Sequence, residues 1–169
     1  MWTPRLSYHA NIVDFHEPAN IINMKCVIEP DCILNGLSHK KNAEHQLLSA
    51  LADGQFRLLL SAPLLYAYEQ ALYDARHDLK LKFREIEETL SFFAANADYV
   101  PCHPLWHAAM NKPEKDLTIS CAYIGCADMV IVTRPDLYKA ATEKFDIPVL
   151  NAKKAVKALS KPHKKGKAA

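Results

Sequence analysis

The sequence predicts an α/β protein with a central parallel sheet that is flanked by helices on both faces. Short apolar runs alternate along the chain with longer segments whose apolar residues recur at helical spacing. The clearest run, at residues 129–132, is apolar throughout, as in a parallel strand that is buried on both faces. The chain has only 4 Gly and 10 Pro, too few turn residues for a sandwich of many hairpins. Strands separated by helices therefore predict a three-layer α/β/α arrangement.

The patterned region begins at Met24 and sets the expected domain boundaries. Residues 1–23 have no clear period and are interpreted as an arm or extension. Residues 24–159 form the predicted domain, and residues 160–169 form a basic tail without large apolar side chains. No apolar run is long enough to span a bilayer, and the N-terminus does not resemble a signal peptide, so we expect a cytoplasmic protein without membrane contact.

The expected elements follow one another from Met24 onward. Cys26, Val27 and Ile28 form a short strand that ends at Pro30, and Ser61 caps a helix. The other predicted strands are 56–60, 99–100, 129–132 and 149–150. The other predicted helices are 43–52, 79–95, 117–124, 136–144 and 152–159.

Functional groups are expected where the parallel strands end. In open α/β sheets, ligands bind outside the carboxyl ends of the strands. That rule directs attention to the residues just after Ile28, Leu60 and Val132.

The cysteines are odd in number and form no CxxC pair, so we expect reduced, buried thiols. A zinc site is the less favoured interpretation, because the spacing of its candidate ligands matches no established pattern. Those candidates are Cys102, His103 and His107 together with Cys121 or Cys126.

Four segments carry a resemblance to a known family. IEPDCIL at 28–34 is similar to the opening LDTNVLV of PIN domains, and SAPLLYAYE at 61–69 is similar to their second block. PEKD at 113–116 and ADMVIVT at 127–133 follow in the family's order. The chain therefore resembles PIN domains, and most closely the toxin components of toxin–antitoxin systems.

The resemblance implies an Mg²⁺- or Mn²⁺-dependent ribonuclease that cleaves single-stranded RNA. In such domains clustered carboxylates hold the metal ions, which activate water for attack on a phosphodiester. It implies Glu29 and Asp116 as catalytic residues, and Glu29, Asp31, Asp116 and Asp136 as metal ligands. Arg134 is a weaker candidate for RNA contact. RNA, an antitoxin protein and a second copy of the chain are the implied partners.

The chain departs from the family at several of these positions. Glu29 stands where Asp is usual, and the second and fourth acids fall on Ala67 and Pro135. Asp31 also suits a turn or helix cap, while Asp116 and Asp136 also suit helix N-caps. The alternative function is therefore a catalytically degenerate PIN domain that binds RNA or a protein. A different α/β domain that matches by chance would place Glu29 and Asp116 far apart.

Overall fold

The computed structural model of the protein describes residues 24–102 and 113–160. Five strands form one sheet: β1 (Lys25–Ile28), β2 (Arg57–Leu60), β3 (Ala97–Tyr99), β4 (Met129–Ile131) and β5 (Val149–Leu150). Their order is β3-β2-β1-β4-β5, and every neighbouring pair is parallel. The predicted parallel sheet is confirmed, and β1 and β4 are inner strands of it.

Helices cover both faces of the sheet, so the predicted three-layer architecture is also confirmed. They are α1 (Pro30–Ser38), α2 (Ala43–Ala52), α3 (Ala62–Asp74), α4 (Phe83–Ala95), α5 (Pro113–Ile124), α6 (Lys139–Phe145) and α7 (Ala152–Leu159). A short 3₁₀ turn, Pro135–Tyr138, connects β4 to α6. The core is centred on the inner strands, where Val27, Ile28, Val130 and Ile131 are fully buried.

Local sequence signals account for several helix ends. The Ser61 hydroxyl accepts a hydrogen bond from the Leu64 N–H and caps α3, as predicted. Asn42 and Asn151 cap α2 and α7 through their side-chain oxygens. Gly54 follows α2 with a φ of 68°, a conformation that glycine adopts without strain.

Other elements differ from the prediction. The predicted elements do not include α1. Pro30 ends the predicted first strand, and Asp31 suits a turn or a helix cap, whereas proline also suits the first position of a helix. The helix predicted over 79–95 begins only at Phe83, and Lys80 has a left-handed φ of 54°. The strand predicted at 99–100 lies at Ala97–Tyr99. Cys126 is exposed, so the expectation of buried thiols holds for the other four cysteines only.

The expected arm at 1–23 and the tail beyond residue 160 lie outside the described residues, as do His103 and His107. α7 ends at Leu159, where the sequence predicted the domain to end. Within residues 24–102 and 113–160, no helix is long and apolar enough to cross a membrane.

Candidate functional site

The ends of the two inner strands meet at one edge of the sheet. Ile28 pairs with Ile131, and the backbone N–H of Glu29 donates to the Ile131 carbonyl at 2.9 Å. Glu29 follows β1, and Thr133 lies two residues beyond β4. The two residues therefore lie side by side at the carboxyl edge, as predicted.

The Glu29 carboxylate is buried and accepts three hydrogen bonds. Its side chain is 6% exposed. Lys115 Nζ lies 3.0 Å from Oε1, and the Tyr138 hydroxyl donates to the same oxygen at 2.6 Å. The backbone N–H of Thr133 donates to Oε2 at 3.0 Å. Both carboxylate oxygens are thus engaged, and the negative charge of Glu29 is balanced by the ammonium group of Lys115.

Lys115 and Tyr138 also contact each other. Lys115 Nζ lies 4.8 Å from the centroid of the Tyr138 ring, within the range of a cation–π interaction. The Lys115 side chain is 12% exposed, and Tyr138 is fully buried. Burial is the main reason why the pKa of Tyr138 lies well above its ordinary range, and the neighbouring Glu29 carboxylate raises the pKa further. Tyr138 therefore stays neutral and remains a hydrogen-bond donor to Glu29.

Contacts around these three side chains hold the neighbouring elements in place. The buried Tyr68 hydroxyl, from α3, donates to the Ile28 carbonyl at 2.6 Å. Cys32 Sγ, from α1, lies 3.6 Å from the Thr133 hydroxyl. Burial raises the pKa of Cys32 to about 12, so this cysteine is a neutral thiol at physiological pH. Hydrogen bonds therefore connect the strand ends around Glu29 to α1 and α3, in addition to the ion pair with Lys115 on α5.

Among residues 24–102 and 113–160, the other predicted acids do not join Glu29 in a group of three possible metal ligands. Asp116 follows Lys115 on α5, and one helical position rotates a side chain by about 100°. Asp31 is exposed in the first turn of α1. Asp136 is exposed and forms a 2.8 Å ion pair with Arg134, which lowers the pKa of Asp136.

Two alternative roles for these acids are wrong. Asp116 lies inside α5, which begins at Pro113, so it is not the N-cap before Leu117. Asp136 lies inside the 3₁₀ turn and caps no helix, because α6 begins only at Lys139.

The side chains of the described residues do not fit a two-metal centre. In residues 24–102 and 113–160, no three His, Cys, Asp or Glu side chains converge as metal ligands. Ala67 and Pro135 supply no carboxylate at the positions where the family resemblance implies one. A pair of ions about 3.5–4 Å apart needs several carboxylates that face one another. Here the Glu29 carboxylate instead faces an ammonium group.

Sequence reasoning missed Lys115 and Tyr138. Lys115 stands in the PEKD segment beside Asp116, and the family resemblance points to the acid of that segment. Tyr138 falls within the helix predicted over 136–144, and that prediction does not give the direction of the Tyr138 side chain. The available signal was Glu29 itself, because its extra methylene lets the carboxylate reach farther than the usual Asp.

Neither a comparison with protein-family models nor a search of curated proteins finds a match for this chain. The family resemblance therefore depends on the four sequence segments. The parallel sheet and the proximity of Glu29 to Thr133 are compatible with many α/β families and do not single out one of them.

Proposed function

We propose that the chain is a PIN-like domain in which an internal ion pair has replaced metal-ion catalysis, and that it acts as a non-catalytic RNA-binding module. The observation that carries this proposal is the Glu29–Lys115 ion pair, with Nζ 3.0 Å from Oε1. Lys115 supplies a positive charge beside the carboxylate to which the family resemblance assigns a divalent cation.

The energetics of the pair favour this reading over a latent nuclease. A divalent ion that binds Oε1 of Glu29 would have to compete with Lys115 and the Tyr138 hydroxyl. Separating a buried ion pair costs about 3–5 kcal/mol, because each charge is left without a partner in a poorly solvated site. Mg²⁺ also loses its hydration water reluctantly and needs nearly ideal octahedral geometry. One engaged carboxylate is a weak ligand set for such an ion.

RNA is the proposed ligand for two reasons. The family resemblance implies a domain that handles single-stranded RNA, and loss of the carboxylate cluster removes the reaction without removing the fold. The C-terminal part of the chain is also strongly basic, which suits a phosphate backbone.

An RNA-cleavage assay tests the loss of catalysis. Wild type, Glu29→Gln and Asp116→Asn are incubated with labelled single-stranded RNA in millimolar Mn²⁺ or Mg²⁺. We expect all three proteins to leave the RNA intact and to bind it equally well in EDTA. Cleavage by the wild type that needs metal and is lost in both variants would instead establish the ribonuclease function that the resemblance implies.

A further inference from the structure

The charge of this protein is unevenly distributed along its chain. The whole sequence contains 21 Lys and Arg and 19 Asp and Glu. Seven of the lysines lie in residues 151–169, a stretch without any Asp or Glu. The preceding 150 residues therefore hold fourteen basic and nineteen acidic side chains. Residues 151–169 are thus strongly basic, whereas residues 1–150 have a net negative charge.

The first three of these lysines lie on α7, on the side that faces solvent. Ala152, Ala155 and Leu159 are buried, and α7 packs against α2. Lys153, Lys154 and Lys157 are exposed. Residues three or four positions apart are neighbours on a helix surface, so Lys157 lies beside both of the other lysines. We call these three side chains the α7 lysine face.

The helix that carries the α7 lysine face is anchored in the fold. The Asn151 side chain caps the helix by accepting from the Lys154 N–H at 3.0 Å. Asn151 directly follows β5, so α7 starts at the same carboxyl edge of the sheet as Glu29. Among residues 24–102 and 113–160, no ion pair uses any of the three lysines.

We propose that the α7 lysine face binds the phosphodiester backbone of single-stranded RNA. This inference rests on the proposed RNA-binding function and assigns it to a surface. Lysine ammonium groups are compact point charges that neutralise phosphates without reading bases. The binding is therefore independent of sequence and depends strongly on salt concentration.

The structure favours a nucleic acid over a membrane or a protein at this surface. A helix that binds a membrane inserts an apolar face into the lipid, but the apolar side of α7 already packs against α2. Protein interfaces depend on exposed aromatic or large apolar anchors. The large apolar side chains exposed in the described parts of the chain all lie outside α7. The α7 lysine face presents positive charges that form no ion pair within residues 24–102 and 113–160.

Salt-dependent RNA binding by the full-length chain tests the proposal. The triple variant Lys153→Gln/Lys154→Gln/Lys157→Gln is compared with wild type for affinity to a labelled, unstructured RNA across a range of salt concentrations. Each lost phosphate contact lowers the slope of log affinity against log salt by about 0.7 for a single strand. We expect the slope to fall by about 2 and the affinity at low salt to fall roughly tenfold or more.

A matched control variant removes three positive charges from exposed lysines outside α7. Lys40, Lys41 and Lys80 are exposed, and changing all three to Gln alters the net charge equally. We expect this control to keep most of the wild-type affinity and slope. The proposal is overturned if both triple variants lose binding equally, if the α7 variant binds as wild type does, or if wild type binds no RNA.

Two further arms separate this proposal from its alternatives. Vesicles that contain phosphatidylserine should not compete with RNA for the wild-type protein, and competition would point to a membrane surface instead. Metal-dependent cleavage of RNA would remove the proposed non-catalytic function, yet loss of binding in the α7 variant would still support the lysine face. The two failures are therefore distinguishable.

Discussion

At the scale of single residues, Glu29 and Lys115 depend on each other. Glu29 is buried, and an isolated carboxylate in such a place would be strongly destabilising. Lys115, Tyr138 and the Thr133 N–H together compensate that cost. The sequence was sufficient to place Glu29 at the end of a strand. It was insufficient to pair Glu29 with Lys115, which lies 86 positions away.

Removing one member of the pair should therefore cost more than removing both. Lys115→Met leaves the buried Glu29 charge without its counterion, so we expect the free energy of unfolding to fall by about 3 kcal/mol. The double variant Lys115→Met/Glu29→Gln removes both charges and should be more stable than Lys115→Met alone. Urea unfolding of the single and double variants measures the coupling.

The exposed Lys153 provides the control for the same change in side chain. Lys153→Met should alter the free energy of unfolding by no more than about 0.5 kcal/mol. Additive effects of Lys115→Met and Glu29→Gln would contradict the assignment of these residues as a buried pair.

At the scale of elements, the corner between α1 and α2 shows what the sequence did and did not reveal. The α2 helix was predicted from its leucine spacing, and its bounds at Ala43–Ala52 agree. The sequence prediction omits α1, because Pro30 interrupts the apolar pattern. Gly36 lies inside α1 although glycine disfavours a helix. Tertiary packing explains Gly36, since a Cβ there would lie 2.7 Å from Leu48 Cδ1 and 3.0 Å from the Glu44 carbonyl oxygen.

Gly36→Ala should therefore destabilise the protein although alanine favours helix formation. The intrinsic gain in a helix is about 1 kcal/mol, but overpacking against the backbone of α2 costs about 1–3 kcal/mol. We expect a net loss of stability in thermal or urea unfolding. Ser91→Ala on the exposed side of α4 is the control and should be nearly neutral. A stabilised Gly36→Ala protein would show that α1 and α2 do not approach this closely.

At the scale of the whole molecule, the alternation of strands and helices in the sequence was enough to predict the architecture. The contacts at the Glu29 site depend on the direction of each side chain, which the sequence alone does not give. Val130 and Ile131 were recognisable as a buried strand from their composition alone. The contact of Lys115 with Glu29 depends on which side of α5 Lys115 occupies, and one position along a helix rotates a side chain by about 100°. Helix boundaries predicted from a sequence are uncertain by about 2–4 residues, so the sequence does not fix that side. Lys115 and Asp116 are adjacent in the sequence, yet the first is a counterion for Glu29 and the second a candidate metal ligand.

Thermal unfolding with and without metal tests most directly the proposal that Lys115 stands in place of a metal ion. An ion that binds the folded state at one hundred times its Kd adds about 2.7 kcal/mol of stability, or roughly 5–10 °C in Tm for a chain of this size. We predict that wild type and Glu29→Gln each melt at the same temperature in millimolar Mn²⁺ as in EDTA. A rise of several degrees in the wild type that is absent from Glu29→Gln would show that Glu29 binds the metal, and would contradict the account.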